Sequence, residues 1–364
     1  YDFWDEGSGA FKTTRTDVTW DFDGMIFEYP EKSVQNVVGV LMGDVNGNWS
    51  APEGSETVSE SYLSELVASQ GGSIGQWGLA NTKDVESTSN NNEESGQSVT
   101  SEQINFVEEL TDGTATLSQN IDGTLVDREY IVKVPGTMTK TKYPVVFFFH
   151  GGGGNGSQWL NQGRGVTDLI DREEFIGIFP SGYNGRWNVG GQTSADDIEF
   201  VSSIINVLSG ADIFDTENIY GIGTSNGGGM VNKLAKETSI FRAIAPVISS
   251  QTALLGELVP SQPVSVFQVN AENDSAIPLQ GGQGVGNQEF MSAQASAENW
   301  ATNFNCNLTP VSEPVAWGDY SGTEHTFDSC INGKRVRYVV VDGAGHSPNF
   351  GSGFNLYERI WQFF

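Results

Sequence analysis

Three residue types that together carry acyl transfer stand in a workable chain order. Ser225 sits in "GTSNG" (223–227), a G-x-S-x-G pattern; Glu272 and Asp274 follow in "NAENDSAIP"; His346 comes last, in "DGAGHSP". A serine hydroxyl becomes a good nucleophile only when a neighbouring imidazole takes its proton. The imidazole in turn needs a carboxylate that orients it and stabilises its charged form. Glu272 and Asp274 follow the same apolar run, so position along the chain barely separates them as that carboxylate. Asp342 is too near His346 along the chain to be a strong rival. The glycine pattern alone is a weak signal, because "GGSIG" (71–75) repeats it at Ser73.

Context separates the two serines. The run "ENIYGIG" before Ser225 has strand length, and Met230, Val231, Leu234 and Ala235 form one apolar face of the helical run after it. Ser225 is therefore expected at a sharp strand-to-helix turn, where side chains two positions away on either side would collide. Gly223 and Gly227 remove that collision. The helix start aims free N–H groups at an oxyanion formed on the serine's substrate. No strand leads into Ser73 and no amphipathic helix leaves it, so it reads as a flexible loop.

An oxyanion needs a second donor, and "PVVFFFHGGGGN" (144–155) supplies it: a buried strand, then His150 and four glycines whose N–H groups a substrate can approach. The expected donors are the N–H groups of Asn226 and Gly152, with Gly151 close behind. "GGGGNGS" lacks the Lys-Ser/Thr of a P-loop, which argues against a nucleotide. Of the three histidines, His150 is committed to the oxyanion strand, and His325 lies in a polar stretch, "SGTEHTF", read as a surface loop. His346 follows the strand "RVRYVVV" and is the base candidate.

The elements that must position these groups alternate from about residue 111 onward. "YIVKV", "PVVFFFH", "FIGIFP", "NIYGIG", "RAIAPVI", "PVSVFQVN" and "RVRYVVV" are apolar runs of strand length, and 196–208, 228–237 and 291–305 read as helices. Continuous apolar strands are those covered on both faces, so the pattern predicts an α/β fold with a mostly parallel sheet. Ligands then bind beyond the carboxyl ends of the strands. Ser194 and Asp197 are expected to form a capping box for the helix at 196–208.

Charge excludes some partners. The chain has 46 acidic and 18 basic residues, a net charge of −28. Residues 1–110 hold 20 acids against 4 bases and residues 111–364 hold 26 against 14. A phosphate backbone needs a basic footprint, so nucleic acid is not an expected partner, and the acidity reads as solubility. No apolar run approaches the roughly 18–20 residues of a membrane helix. The chain begins at Tyr1 without a charged-then-apolar leader and reads as a mature or a trimmed form.

"HGGGGN", "GTSNGGGM", "DSAIP" and "DGAGHS" together resemble the secreted polyhydroxybutyrate depolymerase and feruloyl/acetylxylan esterase group of α/β-hydrolases. The resemblance runs from about Asp122 to the C-terminus, with four motifs in order. It implies an α/β-hydrolase fold, secretion, and Asp274 as the triad acid, four positions after a histidine that here is Asn270. The group's Trp-Pro after "GHS" is replaced by Pro348-Asn349. The resemblance also implies that Cys306 and Cys330 pair, and that Trp187 in "GRWNVGG" lines the substrate pocket.

Nothing in residues 1–110 matches that group. Residues 1–56 read as an acidic extension with the texture of the end of a preceding module; residues 57–110 read as a linker, and 111–364 as the catalytic domain. "GDVNGNWS" (43–50) is similar to dockerin-like calcium loops, with Asp44, Asn46 and Asn48 at alternating positions. Trp49 stands where glycine is expected and Ser55 where an acid is, which favours an Asn-Gly turn over a calcium site. The function expected is an extracellular serine esterase, needing no cofactor, acting on feruloyl or acetyl esters of polysaccharides. A polyester depolymerase and a non-catalytic binding protein on the same fold are the alternatives. The substrate is expected to be polymeric; oligomeric state is not legible.

Overall fold

The computed structural model describes residues 3–5, 10–12, 112–161 and 165–364. The chain divides into two compact units, Tyr1–Glu94 and Ser95–Phe364. In the first, strands β1 (Phe3–Asp5) and β2 (Ala10–Lys12) pair antiparallel. Asp44, Asn46, Asn48, Ser73 and the expected linker lie outside the described residues.

The second unit is built on a ten-stranded sheet. Its strands are β3 (Gly113–Ile121), β4 (Thr124–Lys133), β5 (Tyr143–Phe149), β6 (Ile176–Pro180), β7 (Phe214–Thr224), β8 (Ala243–Val247), β9 (Ser265–Ala271), β12 (Val311–Trp317), β13 (Tyr320–Phe327) and β14 (Val336–Val341). The order across the sheet is β12-β13-β14-β9-β8-β7-β5-β6-β4-β3. The middle, from β14 to β6, is parallel throughout, and both edges are antiparallel hairpins. A separate short pair, β10 (Gly282–Gln283) and β11 (Glu289–Phe290), lies in the loop after β9.

Every strand expected from residue 111 onward is present; the strand-like runs "GMIFEYP" and "VVGVLMG" lie outside the described residues. The edge strands β3 and β12, and β13 beside β12, are not legible as strands in the sequence, for a physical reason. An edge strand keeps one face in water and carries few apolar residues, and β12 even holds Pro314, which an edge tolerates. "SGTEHTF" is therefore strand β13 and not a loop. His325 pairs across to Ser312, with Nδ1 2.7 Å from the hydroxyl, and stacks on Tyr338.

Helices cover both faces. On one side pack α3 (Asp197–Leu208), α4 (Asn226–Glu237), the short α5 (Ala253–Gly256) and α6 (Ala293–Asn303); on the other, α1 (Ser157–Asn161), α2 (Val166–Asp171) and α7 (Leu356–Phe363). The "VVFFF" run shows why β5 is apolar without a break. Val145, Phe147 and Phe149 enter the first core, and Val146 and Phe148 enter the second.

The capping expectation is corrected by two residues, from Ser194 to Asp196. Asp196 caps α3, accepting from Glu199 N–H at 2.9 Å, while Ser194 bonds Asp122. Asp197 is buried and pairs with Arg128 on β4 at 2.6 Å. Burial raises the Asp197 carboxyl's pKa, against the pull of the Arg128 charge and of the Asn188 N–H. The sequence pattern marks a helix start, and the buried arginine across the sheet decides which aspartate serves it.

Cys306 and Cys330 form a disulfide across 24 residues, tying the chain after α6 to the chain after β13. β14, which leads to His346, follows directly. In the chain-entropy account a loop of this length contributes about 3.5 kcal/mol. The oxidised protein should have a mass lower by two hydrogens than the reduced one. Reduction should lower the melting temperature by on the order of 10 °C. Free thiols in protein purified from an oxidising compartment, or an unchanged melting point, would contradict this.

Candidate active site

Ser225 ends β7 and starts α4 with φ 56° and ψ −117°, a backbone conformation that few non-glycine residues adopt. Its N–H donates to the Val247 carbonyl at 2.9 Å, and its own carbonyl accepts from Gly229 N–H at 3.0 Å. The flanking glycines are required by space. A Cβ on Gly223 would stand 2.0 Å from the Gly227 carbonyl oxygen, and one on Gly227 would stand 2.1 Å from that of Phe149. The turn closes only because both side chains are absent.

The loops after β9 and β14 bring the other two groups to this turn. Asn273 N–H donates to the Ala344 carbonyl at 2.8 Å, which joins the loops directly. Asp274 Oδ2 lies 2.7 Å from His346 Nδ1, and His346 Nε2 lies 2.8 Å from Ser225 Oγ. The other Asp274 oxygen accepts from Ala276 and Ile277 N–H, each at 2.8 Å. With a carboxylate accepting at Nδ1, the imidazole carries its proton there and turns a lone pair on Nε2 toward the serine. Glu272 points elsewhere, accepting from Gly343 N–H at 2.7 Å, and serves the turn before His346.

The glycine loop after β5 lies against the same turn. A Cβ on Gly151 would be 3.6 Å from that of Ser225, and one on Gly152 would be 3.8 Å from that of Asn226. His150 is buried beneath, and its burial lowers the ring's pKa against the hydrogen bond to Gly151. It accepts from Gly182 N–H at Nε2 (2.9 Å), so Nδ1 is the protonated nitrogen and donates to the Gly151 carbonyl (2.7 Å). Its role is to hold the glycine loop.

Trp187 does not line a pocket, contrary to the reading by resemblance. It is fully buried; its Nε1–H donates to the His150 carbonyl at 2.9 Å and its ring meets Phe149 edge-on. Its backbone exchanges two hydrogen bonds with the Asn226 side chain, N–H to Oδ1 at 2.7 Å and carbonyl from Nδ2 at 3.1 Å. Trp187 thus braces the residue after the serine against the glycine loop, and no room is left for its indole to face solvent. Asn270, where the resemblance expects histidine, is also structural: it bonds the Ser249 carbonyl and the Ser250 hydroxyl, each at 3.1 Å.

Two cavities flank the turn. One, of about 240 Å³, is lined by Ser225, His346 and the apolar Val189, Ile277, Val285 and Phe290. The other, of about 210 Å³, lies along the glycine loop between Trp159 and Pro348. None of these apolar lining residues was legible as such, because they come from separate loops. Among the described residues, no group of three or more metal-binding side chains occurs and no helix is long and apolar enough to cross a membrane.

A strained serine, an imidazole within hydrogen-bond reach and a carboxylate behind it, at the carboxyl ends of a parallel sheet, have counterparts among known proteins. No family model matches the chain. It is 28% identical over 246 residues to a probable feruloyl esterase C of Aspergillus clavatus, covering 65% of this chain and 83% of that protein. It is 26% identical over 250 residues to feruloyl esterase B of Piromyces equi, spanning 65% of this chain but only 45% of that protein. The solved acetyl xylan esterase of Aspergillus awamori superposes with a TM-score of 0.50 at 13% identity, over 69% of this chain and 98% of that one, and shares the fold. The chain is a carboxylic-ester hydrolase of the α/β-hydrolase fold. It is similar to the feruloyl and acetylxylan esterases in particular. As a hydrolase of this fold, it presents the order serine, acid, histidine along the chain and draws its pocket residues from the segments that follow β5, β6, β7, β8, β9 and β14.

Proposed function

We propose that this hydrolase cleaves feruloyl esters of polysaccharides, with acetyl esters as smaller substrates, through an acyl-enzyme on Ser225. The observation that carries the reading is the continuous hydrogen-bonded chain from Ser225 through His346 to Asp274. His346 Nε2 takes the serine proton as Oγ attacks the ester carbonyl. The N–H groups of Gly152 and Asn226 receive the negative oxygen. His346 then returns the proton to the leaving alcohol, and water repeats the sequence to release the acid. Asp274 holds the imidazole in its tautomer and orientation.

The size and lining of the 240 Å³ cavity favour an aromatic acyl group over acetyl, which would leave most of the apolar wall unfilled. The disulfide favours an oxidising, extracellular setting. The strongly negative charge speaks against nucleic acid as a partner. A release assay tests the substrate. Feruloylated arabinoxylan and acetylxylan should yield ferulate and acetate with the native protein, and neither with Ser225→Ala. Release from polyhydroxybutyrate or a terephthalate polyester alone would overturn the polysaccharide reading.

A further inference from the structure

The cavity beside Ser225 has two ionisable side chains in its lining, His346 and Arg186, and no carboxylate. That is unusual company for an arginine in a chain with 46 acids and 18 bases. Arg128, Arg172, Arg337 and Arg359 each hold a carboxylate. Arg186 is exposed and pairs with none among the described residues.

The backbone beneath Arg186 is anchored, while its head pairs with no carboxylate among the described residues. Asn184 and Gly185, with φ 52° and 72°, turn the chain, and Arg186 N–H closes the turn on the Tyr183 carbonyl at 3.1 Å. The Gly185 carbonyl accepts from Gly153 N–H at 2.7 Å, and Trp187 follows with its bonds to Asn226. This geometry brings Nη1 to 3.9 Å from the point where a side chain on Gly152 would begin. The positive charge therefore stands close to where the scissile carbonyl binds.

We propose that Arg186 is a specificity residue that selects esters carrying a free carboxylate near the scissile bond. The inference rests on the esterase reading above. The planar guanidinium offers two parallel N–H groups that match a carboxylate's oxygens. The net charge of −28 repels anions at long range, and a singly charged carboxylate meets less of that repulsion than a dianionic phosphate. The carboxylate can belong to the acyl part, as in a half-ester of a dicarboxylic acid, or to the alcohol part, as in a polysaccharide's uronic acid.

Two pairs of soluble esters distinguish these sources. Mono-4-nitrophenyl adipate against 4-nitrophenyl hexanoate places the charge on the acyl side; 4-carboxyphenyl acetate against 4-carbamoylphenyl acetate places it on the alcohol side. In one pair, Arg186→Gln should lower the charged-to-neutral ratio of kcat/KM at least tenfold, about the worth of one charge-assisted hydrogen bond. The change should lie mainly in KM, Arg186→Lys should keep part of the preference, and added salt should weaken it in the native protein. Equal losses on charged and neutral esters, or no loss of preference in either pair, would overturn the proposal. Neutral esters that the native protein fails to hydrolyse in a Ser225-dependent way would instead overturn the esterase reading, and this proposal with it.

Discussion

Ser225→Ala is expected to lower kcat on a soluble p-nitrophenyl ester by roughly 10⁵–10⁶-fold while the melting temperature stays near that of the native protein. The loss is large because the attacking atom itself is removed, and the remaining hydrogen-bond donors act only on water attack. The fold is spared because, among the described residues, the Ser225 hydroxyl bonds only His346, and the backbone bonds that hold the turn, to Val247 and from Gly229, do not involve the side chain. His346→Ala should cost about as much, and the double variant little more, since members of such a unit are strongly non-additive. Inactivation by Ser73→Ala with Ser225→Ala still active would place the nucleophile in the wrong glycine motif.

The second large effect concerns the carboxylate. Asp274→Asn should lower kcat about 10⁴-fold, because an amide can present its NH₂ to Nδ1 and turn the imidazole's lone pair away from the serine. The two backbone bonds from Ala276 and Ile277 to the other oxygen keep the side chain in place, so the loss is one of tautomer and charge. Glu272→Gln should cost less than about tenfold, roughly 1.4 kcal/mol. Its amide oxygen can still accept from Gly343 N–H, and the carboxylate touches neither histidine nor serine in the structure. Kinetics of the two variants on one p-nitrophenyl ester settle the ranking. The reverse order would move the acid to Glu272.

The close pairing of Glu272 and Asp274 shows where sequence reading stops. They lie two residues apart after β9, and the sequence favours the aspartate only through resemblance to a known group, its shorter side chain and Pro278 nearby. The structure separates them by direction: one side chain turns toward the β14 loop's backbone, the other toward the imidazole. Trp187 carries the same lesson with the opposite outcome. A tryptophan near a predicted pocket reads as a wall of it. Its indole instead packs against Phe149 and His150, while its backbone bonds the Asn226 side chain. Arg186, next to it, was unremarked in the sequence. The left-handed turn at Asn184 and Gly185 is what swings it to the cavity.

By itself the sequence determined the parallel centre of the sheet, the turn at Ser225 and the loop that carries His346. Each of these is a local matter: continuous apolar runs demand cover on both faces, and glycines two positions from a serine mark a turn that tolerates no side chains. The tertiary structure alone decided the edges of the sheet, the aspartate that caps α3, the burial of Trp187 and the placing of Arg186 at the cavity beside Ser225. Those depend on which side chains meet from distant parts of the chain, as when Arg128 on β4 claims Asp197 and leaves Asp196 to the helix. Local periodicity holds no information about such meetings, because the partners lie far apart in the chain and meet only in the packed fold.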